Sequence, residues 1–280
     1  MKVLVAEKCG FCPGVRNAIN LAKKTLEQER DVSSLGPIIH NEDVVAQLSK
    51  DGLKRVDSID AIESGTVLIR SHGATLDELD KINLKGLEVV DATCVLVKRV
   101  QKIAQQLYDE GYKVVMIGDK NHPEVKAVVG YTEDVDVVAT EDDLDKLNNS
   151  NKLGVICQTT ESPGHFADMI AAIAKRGFSE IKIINTLCRE TMERQTAAVK
   201  LCRQVDIMFV LGGLHSANTR KLAELCKKHN SQTYHLQNWN ELDKTLLCGK
   251  ATAGVTAGAS TPDEVIREFV RNLECYDEPA

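Results

Sequence analysis

Three cysteines of this chain share one local setting, between a predicted strand and a pattern typical of an α-helix. They are Cys12, Cys94 and Cys188, and they lie roughly one third of the 280-residue chain apart. Self-similarity at a regular spacing predicts an internal repeat with one strand-to-helix turn of this kind in each copy.

Strands and helices alternate through each third of the chain. Apolar positions at helical spacing predict a helix over residues 15–28, and Thr75 with Glu78 forms the capping box expected where another helix begins. Such alternation indicates an α/β fold with parallel sheets. We expect three pseudo-equivalent α/β lobes, formed by residues 1–85, 86–178 and 179–280.

Polar side chains follow the predicted strands at the points where the strands end. Because ligands bind beyond the carboxyl ends of parallel strands, we expect these residues to form one functional site. Imidazoles with hydroxyl and amide groups at helix N-termini suit an anion such as a diphosphate. The residues are His40, His72, His122, His215, Ser216, Asn218 and Ser260. The chain has neither G-x-G-x-x-G nor a Walker sequence, which disfavours a nucleotide cofactor.

Thiolates at Cys12, Cys94 and Cys188 indicate a soft metal centre, and three ligands rather than four leave a position open for substrate. Ligands so far apart in sequence favour an iron–sulfur cluster over structural zinc, which uses local C-x-x-C pairs. Cys9 and Cys12 do form a C-x-x-C, so a thioredoxin-like interpretation remains open. We expect the other cysteines to be structural, namely Cys157, Cys202, Cys226, Cys248 and Cys275.

Glu124 lies in the same predicted turn as His122. One interpretation is a carboxylate that stabilises a helix N-terminus. The other is a proton donor, which a reductive cleavage of a C–O bond requires, with Thr159 or Thr160 to relay or orient the proton.

Composition excludes several classes of protein. The net charge of −6 and the lack of a basic tract argue against nucleic acid as a partner. No apolar stretch approaches the roughly 20 residues of a membrane span. Nine cysteines without a secretory signal indicate a reducing compartment, so we expect a cytoplasmic protein. We also expect the protein to act as a monomer.

Taken together, the motifs resemble the 4-hydroxy-3-methylbut-2-enyl diphosphate reductase family, also called IspH or LytB. The resemblance covers essentially the whole chain, and its segments are jointly very specific. They are 10–15 (GFCPGV), 39–41 (IHN), 71–73 (SHG), 91–94 (DATC), 122–125 (HPEV), 158–160 (QTT), 216–218 (SAN) and 254–260 (GVTAGAS).

The resemblance implies three lobes around a central 4Fe–4S cluster, with Cys12, Cys94 and Cys188 on three irons and the substrate hydroxyl on the fourth. In air such a cluster is expected to degrade to 3Fe–4S. Reduction of the allylic diphosphate would give isopentenyl and dimethylallyl diphosphates, the last step of the methylerythritol phosphate pathway. A ferredoxin or flavodoxin would supply the electrons.

The same resemblance implies roles for individual residues. Glu124 would donate the proton, with Thr159 and His122 beside the reacting hydroxyl. Many family members have a serine where this chain has Ala217, so one hydroxyl is lost there while the backbone N–H remains. The diphosphate would be held by His40, His72, His122, Thr159, Ser216, Ala217, Asn218 and Ser260.

Two alternatives stay open from sequence. A quinolinate synthase-like cluster lyase also has three lobes and one cysteine per lobe, although the histidine-rich anion site and the turn at residues 122–124 argue against it. A non-enzymatic iron–sulfur redox sensor would need a basic or apolar partner-facing helix, and the sequence has no such pattern.

Overall fold

The computed structural model describes residues 1–147, 152–214 and 216–276. Strands within these residues are β1 Lys2–Val5, β2 Val32–Leu35, β3 Lys54–Val56, β4 Thr66–Ile69, β5 Glu88–Asp91, β6 Lys113–Ile117, β7 Val135–Val138, β8 Lys152–Cys157, β9 Glu180–Ile183, β10 Ile207–Leu211, β11 Thr233–Leu236 and β12 Thr252–Ala257. Helices are α1 Pro13–Gln28, α2 Glu42–Lys50, α3 Leu76–Leu84, α4 Val95–Asp109, α5 Pro123–Val129, α6 Pro163–Ala174, α7 Arg189–Cys202, α8 Ala217–His229 and α9 Asp263–Glu274. None of these helices is long and apolar enough to cross a bilayer.

The strands form three four-stranded sheets, and every pairing is parallel. Their orders are β1-β12-β10-β11, β3-β2-β4-β5 and β7-β6-β8-β9. This architecture confirms the predicted α/β class with three similar parallel sheets.

The strand before each of Cys12, Cys94 and Cys188 lies at the edge of a sheet. For Cys94 and Cys188 this sheet belongs mainly to the preceding third of the chain, and for Cys12 it belongs to the last third. β1 pairs with β12, β5 pairs with β4, and β9 pairs with β8. The sheets therefore extend past the lobe boundaries expected after residues 85 and 178. The local pattern identifies a strand but carries no information about which neighbour it joins.

Contacts divide the chain into two compact units. One consists of Met1–Arg16, Ile39–Gln47 and Arg189–Ala280, and it contains the sheet β1-β12-β10-β11. The other consists of Asn17–Ile38 and Leu48–Cys188, and it contains the two remaining sheets.

The core of the first unit lies on both faces of its central strands. β10 is apolar and buried along its whole length, as expected for a central strand of a parallel sheet covered on both sides. Phe209 packs against Phe269 of α9, with ring centroids 5.1 Å apart. On the other face, Gly254 of β12 allows close packing, since a Cβ there would lie 2.8 Å from the sulfur of Met208.

The second unit has two cores of the same kind. Buried residues of β4 pack with Ile82 of α3, and buried residues of β6 and β8 pack with α4 and α6. α3 begins at the expected capping box, in which Glu78 N–H donates to Thr75 Oγ1 at 3.1 Å and Thr75 N–H donates to Glu78 Oε2 at 2.7 Å. Such caps stabilise a helix by about 0.5–2 kcal/mol.

Candidate active site

Glu124 is a buried carboxyl at the start of α5, with 2% of its surface exposed. His122 is the N-cap of this helix, and its Nδ1 accepts a hydrogen bond from Glu124 N–H at 3.2 Å. Pro123 occupies the first helical position, where its fixed φ favours the helix and its missing N–H has no cost. The sequence His-Pro-Glu thus fixes where this carboxyl lies relative to the end of β6.

Thr159 holds both oxygens of that carboxyl. Its N–H donates to Glu124 Oε1 at 2.6 Å, and its hydroxyl donates to Oε2 at 2.8 Å. The two residues meet because β6 and β8 are neighbours, so the turns that follow them lie side by side. Thr159 is itself 6% exposed, so the pair is largely shielded from water.

His72 lies beside His122 in the same unit, with ring centroids 5.5 Å apart and the rings edge to face. The turn that carries His72 follows β4, and Ser71 anchors it by donating from its N–H and its hydroxyl to the carbonyl of Ile38. Gly73 has a φ of +86°, which favours glycine, and a Cβ there would come within 2.9 Å of the Gln101 side chain.

Arg70 lies beside the turn that carries His72 and is not among the residues predicted from the sequence. It directly follows β4, and a Cβ at Gly36 would lie 2.7 Å from its Nη1. Its Nε is buried and has no hydrogen-bond partner within the described ranges. Burial lowers the pKa of the Arg70 guanidinium, against an opposing effect of Glu78. The available signal is a basic residue at the end of a predicted strand, the position at which the other anion-binding residues are expected.

The first unit brings together the other predicted anion-binding residues. Ser216 caps α8, and it accepts from both the N–H and the hydroxyl of Thr219, at 3.3 and 3.0 Å. Ala217 and Asn218 lie half-buried in the first turn of this helix. Ser260 follows β12, and its hydroxyl donates to the carbonyl of His40 at 2.9 Å. The predicted residue His215 lies outside the described residues.

Cys12, Cys94 and Cys188 are each partly exposed, and each directly precedes a helix. Their backbone environments are also alike, because each cysteine N–H donates to a carbonyl in the turn that follows the adjacent strand. The acceptors are Ala259 for Cys12 at 3.1 Å, Ser71 for Cys94 at 3.0 Å and Thr159 for Cys188 at 2.8 Å. Within each unit, every cysteine turn is therefore bonded to a turn that carries, or directly adjoins, a predicted site residue.

Two other cysteines differ in a way that matters for metal binding. Burial raises the pKa of Cys9 to about 11, with Arg194 acting in the opposite direction, and burial raises the pKa of Cys157 to about 11 despite its bond from Thr186. Both therefore remain protonated thiols at neutral pH and are poor metal ligands. Cys12 is only partly buried, and its Sγ accepts a hydrogen bond from Val15 N–H at 3.4 Å. Donors of this chemistry fit an iron–sulfur centre.

Comparison with known proteins identifies the family. The sequence profile of the LytB protein family matches residues 3–274. The chain belongs to the LytB family. The similarity to LytB proteins thus extends over all three sheets.

Curated relatives carry one name. A protein of Trichlorobacter lovleyi named 4-hydroxy-3-methylbut-2-enyl diphosphate reductase is 42% identical over 275 residues, which cover 98% of each chain. A protein of Geobacter sulfurreducens with the same name is 42% identical over 278 residues, which cover 99% of this chain and 98% of that protein.

Solved structures of LytB-type reductases share the fold. A structure of (E)-4-hydroxy-3-methyl-but-2-enyl diphosphate reductase, described as the terminal enzyme of the non-mevalonate pathway, has a TM-score of 0.76 at 38% identity and covers 98% of this chain and 99% of its own. The reductase of Plasmodium falciparum has a TM-score of 0.91 at 29% identity and covers 97% of this chain and 87% of its own. These similarities confirm the resemblance predicted from the motifs and, with it, the predicted reductase, in preference to a quinolinate synthase-like lyase or a redox sensor.

Proposed function

We propose that this chain catalyses the reductive dehydroxylation of 4-hydroxy-3-methylbut-2-enyl diphosphate to isopentenyl and dimethylallyl diphosphates. The reaction replaces a C–OH bond by a C–H bond, consumes two electrons and two protons, and releases water. It therefore needs an electron source, an anion site and a proton donor shielded from solvent. The contact between the buried Glu124 carboxyl and Thr159 carries this proposal, because it supplies the proton donor.

The geometry of this contact suggests which oxygen carries the proton. Oε1 of Glu124 accepts from the backbone N–H of Thr159, which cannot act as an acceptor. A proton on the carboxyl therefore resides on Oε2, which faces the Thr159 hydroxyl. A hydroxyl both accepts and donates, so Thr159 can take the hydrogen bond from Glu124 and pass one on to the substrate oxygen.

We infer that Cys12, Cys94 and Cys188 hold a 4Fe–4S cluster. When bound, this cluster supplies electrons one at a time and offers its fourth iron to the substrate hydroxyl. The residues of the chain fit this role because the three cysteines share one backbone setting and none is fully buried.

The diphosphate is assigned to the residues at the strand ends. α8 presents its first backbone N–H groups and a positive dipole end, and each such interaction with an anion contributes about 0.3–1 kcal/mol. Asn218 adds an amide donor in that turn, and Ala217 contributes its N–H alone. The full set that we propose is His40, His72, His122, Thr159, Ser216, Ala217, Asn218 and Ser260.

Electrons would come from a ferredoxin or flavodoxin, since the cluster takes them singly. We further propose that the protein works in the cytoplasm as a monomer.

One anaerobic assay tests the proposal. Reconstituted protein is incubated with the allylic diphosphate and a chemical reductant, and the two isomeric products are measured. Thr159→Val keeps the backbone N–H that holds Glu124 but removes the hydroxyl, so turnover should fall about 10²–10⁴-fold, whereas Thr159→Ser should retain most of it. Wild-type protein that carries a cluster but forms neither product would overturn the function, and an active Thr159→Val would overturn the relay.

A further inference from the structure

Arg194 is a buried cation in α7 that no step of the proposed reaction uses. Only 3% of its surface is exposed. Its Nη1 donates to the carbonyl of Ala257 at 2.9 Å, and its Nη2 donates to the carbonyl of Gly10 at 2.8 Å. One guanidinium therefore joins the turn at Gly10 to the end of β12, two segments that are far apart in sequence and lie in the same compact unit.

A buried charge is costly unless it is satisfied, so this arrangement needs a reason. The planar fork of an arginine can bond two carbonyls in fixed directions at once, which a lysine ammonium does less well. The side chain of Asp263 also approaches the Gly10 turn closely. Gly10 has a φ of +79°, and a Cβ there would lie 2.5 Å from Oδ1 of Asp263.

The two turns that Arg194 joins are those of a proposed cluster ligand and a proposed substrate ligand. Gly10 lies two residues before Cys12, and Ala257 lies three residues before Ser260. A second bond joins the same turns, from Cys12 N–H to the carbonyl of Ala259 at 3.1 Å. Arg194 thus holds together the two backbone segments that this bond also joins.

We propose that Arg194 is a positioning residue that fixes the Cys12 thiolate for the cluster and sets the Ser260 turn relative to it. This inference rests on the proposed function, because Cys12 matters in this way only as a ligand. Residues behind a metal ligand commonly affect metal affinity by about 10–100-fold when they are removed. We expect an effect of that size at Cys12, with little effect at Cys94 and Cys188.

The test follows cluster loss in the reconstituted protein. Arg194→Met and Arg194→Lys are compared with Lys200→Met, a control on the same helix whose exposed ammonium pairs with Glu7. A ferrous chelator removes the iron under anaerobic conditions, while iodoacetamide labels each cysteine as it is released. Peptide mass spectrometry then gives the rate of labelling at each ligand.

Arg194→Met should lose iron about 10–100-fold faster than wild type, with Cys12 labelled before Cys94 and Cys188. Arg194→Lys should lose iron at a rate between those of wild type and Arg194→Met, because lysine keeps the positive charge but lacks the two-pronged guanidinium. If Arg194→Met does not fold, the comparison of Arg194→Lys with wild type tests the proposal. Lys200→Met should match wild type. Unchanged iron loss, or faster loss with all three cysteines labelled together, would overturn the role of Arg194. A wild type that assembles no cluster would instead overturn the proposed function.

Discussion

At the scale of a single residue, Glu124 is the proposed source of the proton. Glu124→Gln preserves shape and can still accept from Thr159 N–H, but it removes the acidic proton. We expect turnover to fall about 10²–10⁴-fold, the usual effect of losing a general acid. Substrate binding should survive because the diphosphate-binding residues are unchanged. Single-turnover reduction followed at the cluster should show substrate accumulating, and near-normal turnover would move the proton donor to His122 or to a substrate phosphate.

Cysteines in two environments provide a matched pair for testing metal binding. Cys94→Ser should greatly reduce iron and sulfide content because it replaces a proposed ligand. Cys157→Ser should not, since Cys157 is a buried thiol whose pKa is raised to about 11 by burial. Iron analysis after anaerobic reconstitution measures both variants, and full iron content in Cys94→Ser would contradict the ligand assignment.

At the scale of a helix, the first turn of α8 is part of the proposed anion site. Ser216 caps it and Asn218 lies two residues further on. Loss of a hydrogen bond to a charged group costs about 1.5–3 kcal/mol, so Asn218→Ala should weaken binding of isopentenyl diphosphate roughly tenfold or more. Lys227→Ala, in the last turn of α8, is the control. Calorimetry in which both variants bind like wild type would place the anion site elsewhere.

At the scale of a sheet, Asp206 joins the starts of β10 and β12. Its Oδ2 accepts from the N–H of Ala251 and from the N–H and hydroxyl of Thr252, at 2.8–3.0 Å. The bonds from Thr252 are the main reason that the pKa of Asp206 is lowered from 3.8. A carboxyl with a lowered folded-state pKa stabilises the fold above its unfolded pKa and stops doing so as pH falls through the folded value.

Asp206→Asn should therefore destabilise the protein at neutral pH and have a shrinking effect as pH falls below about 3.8. Urea unfolding of both proteins across this range measures the difference in free energy of unfolding. A difference that stays constant down to about pH 2 would show that the charge of Asp206 is not involved.

Local sequence pattern predicts individual elements well and their pairing poorly. The cap at Thr75 and the turn at residues 122–124 follow from residue types a few positions apart, and both are found where expected. The pairing of β1 with β12 joins Lys2 to Thr252 and has no local signal. The burial of Arg194 depends on that pairing, because its two carbonyl acceptors lie near opposite ends of the sequence. An arginine in a helical sequence pattern therefore does not by itself indicate that its side chain is buried between them.

At the scale of the whole molecule, one turn design occurs three times within residues 1–147, 152–214 and 216–276. In each case an edge strand ends, a cysteine N–H bonds to the turn after the neighbouring strand, and a helix begins. Three copies supply three thiolates, whereas a fully protein-bound 4Fe–4S cluster takes four. The threefold repeat itself provides no fourth cysteine. The number of thiolate ligands therefore follows from the architecture and not from any one residue.

This shortage predicts a cluster that is labile at one corner. In the proposed 4Fe–4S cluster the fourth iron would lack a protein thiolate, so it would be open to the substrate hydroxyl and equally open to dioxygen. Aerobic handling should convert 4Fe–4S to 3Fe–4S or strip the metal, and Mössbauer and EPR spectra with iron counts would follow the change. A saturating allylic diphosphate should slow the loss, because a ligand that binds only the intact site stabilises it by mass action. A four-iron spectrum that persists for days in air without substrate would mean that the chain supplies a fourth ligand after all.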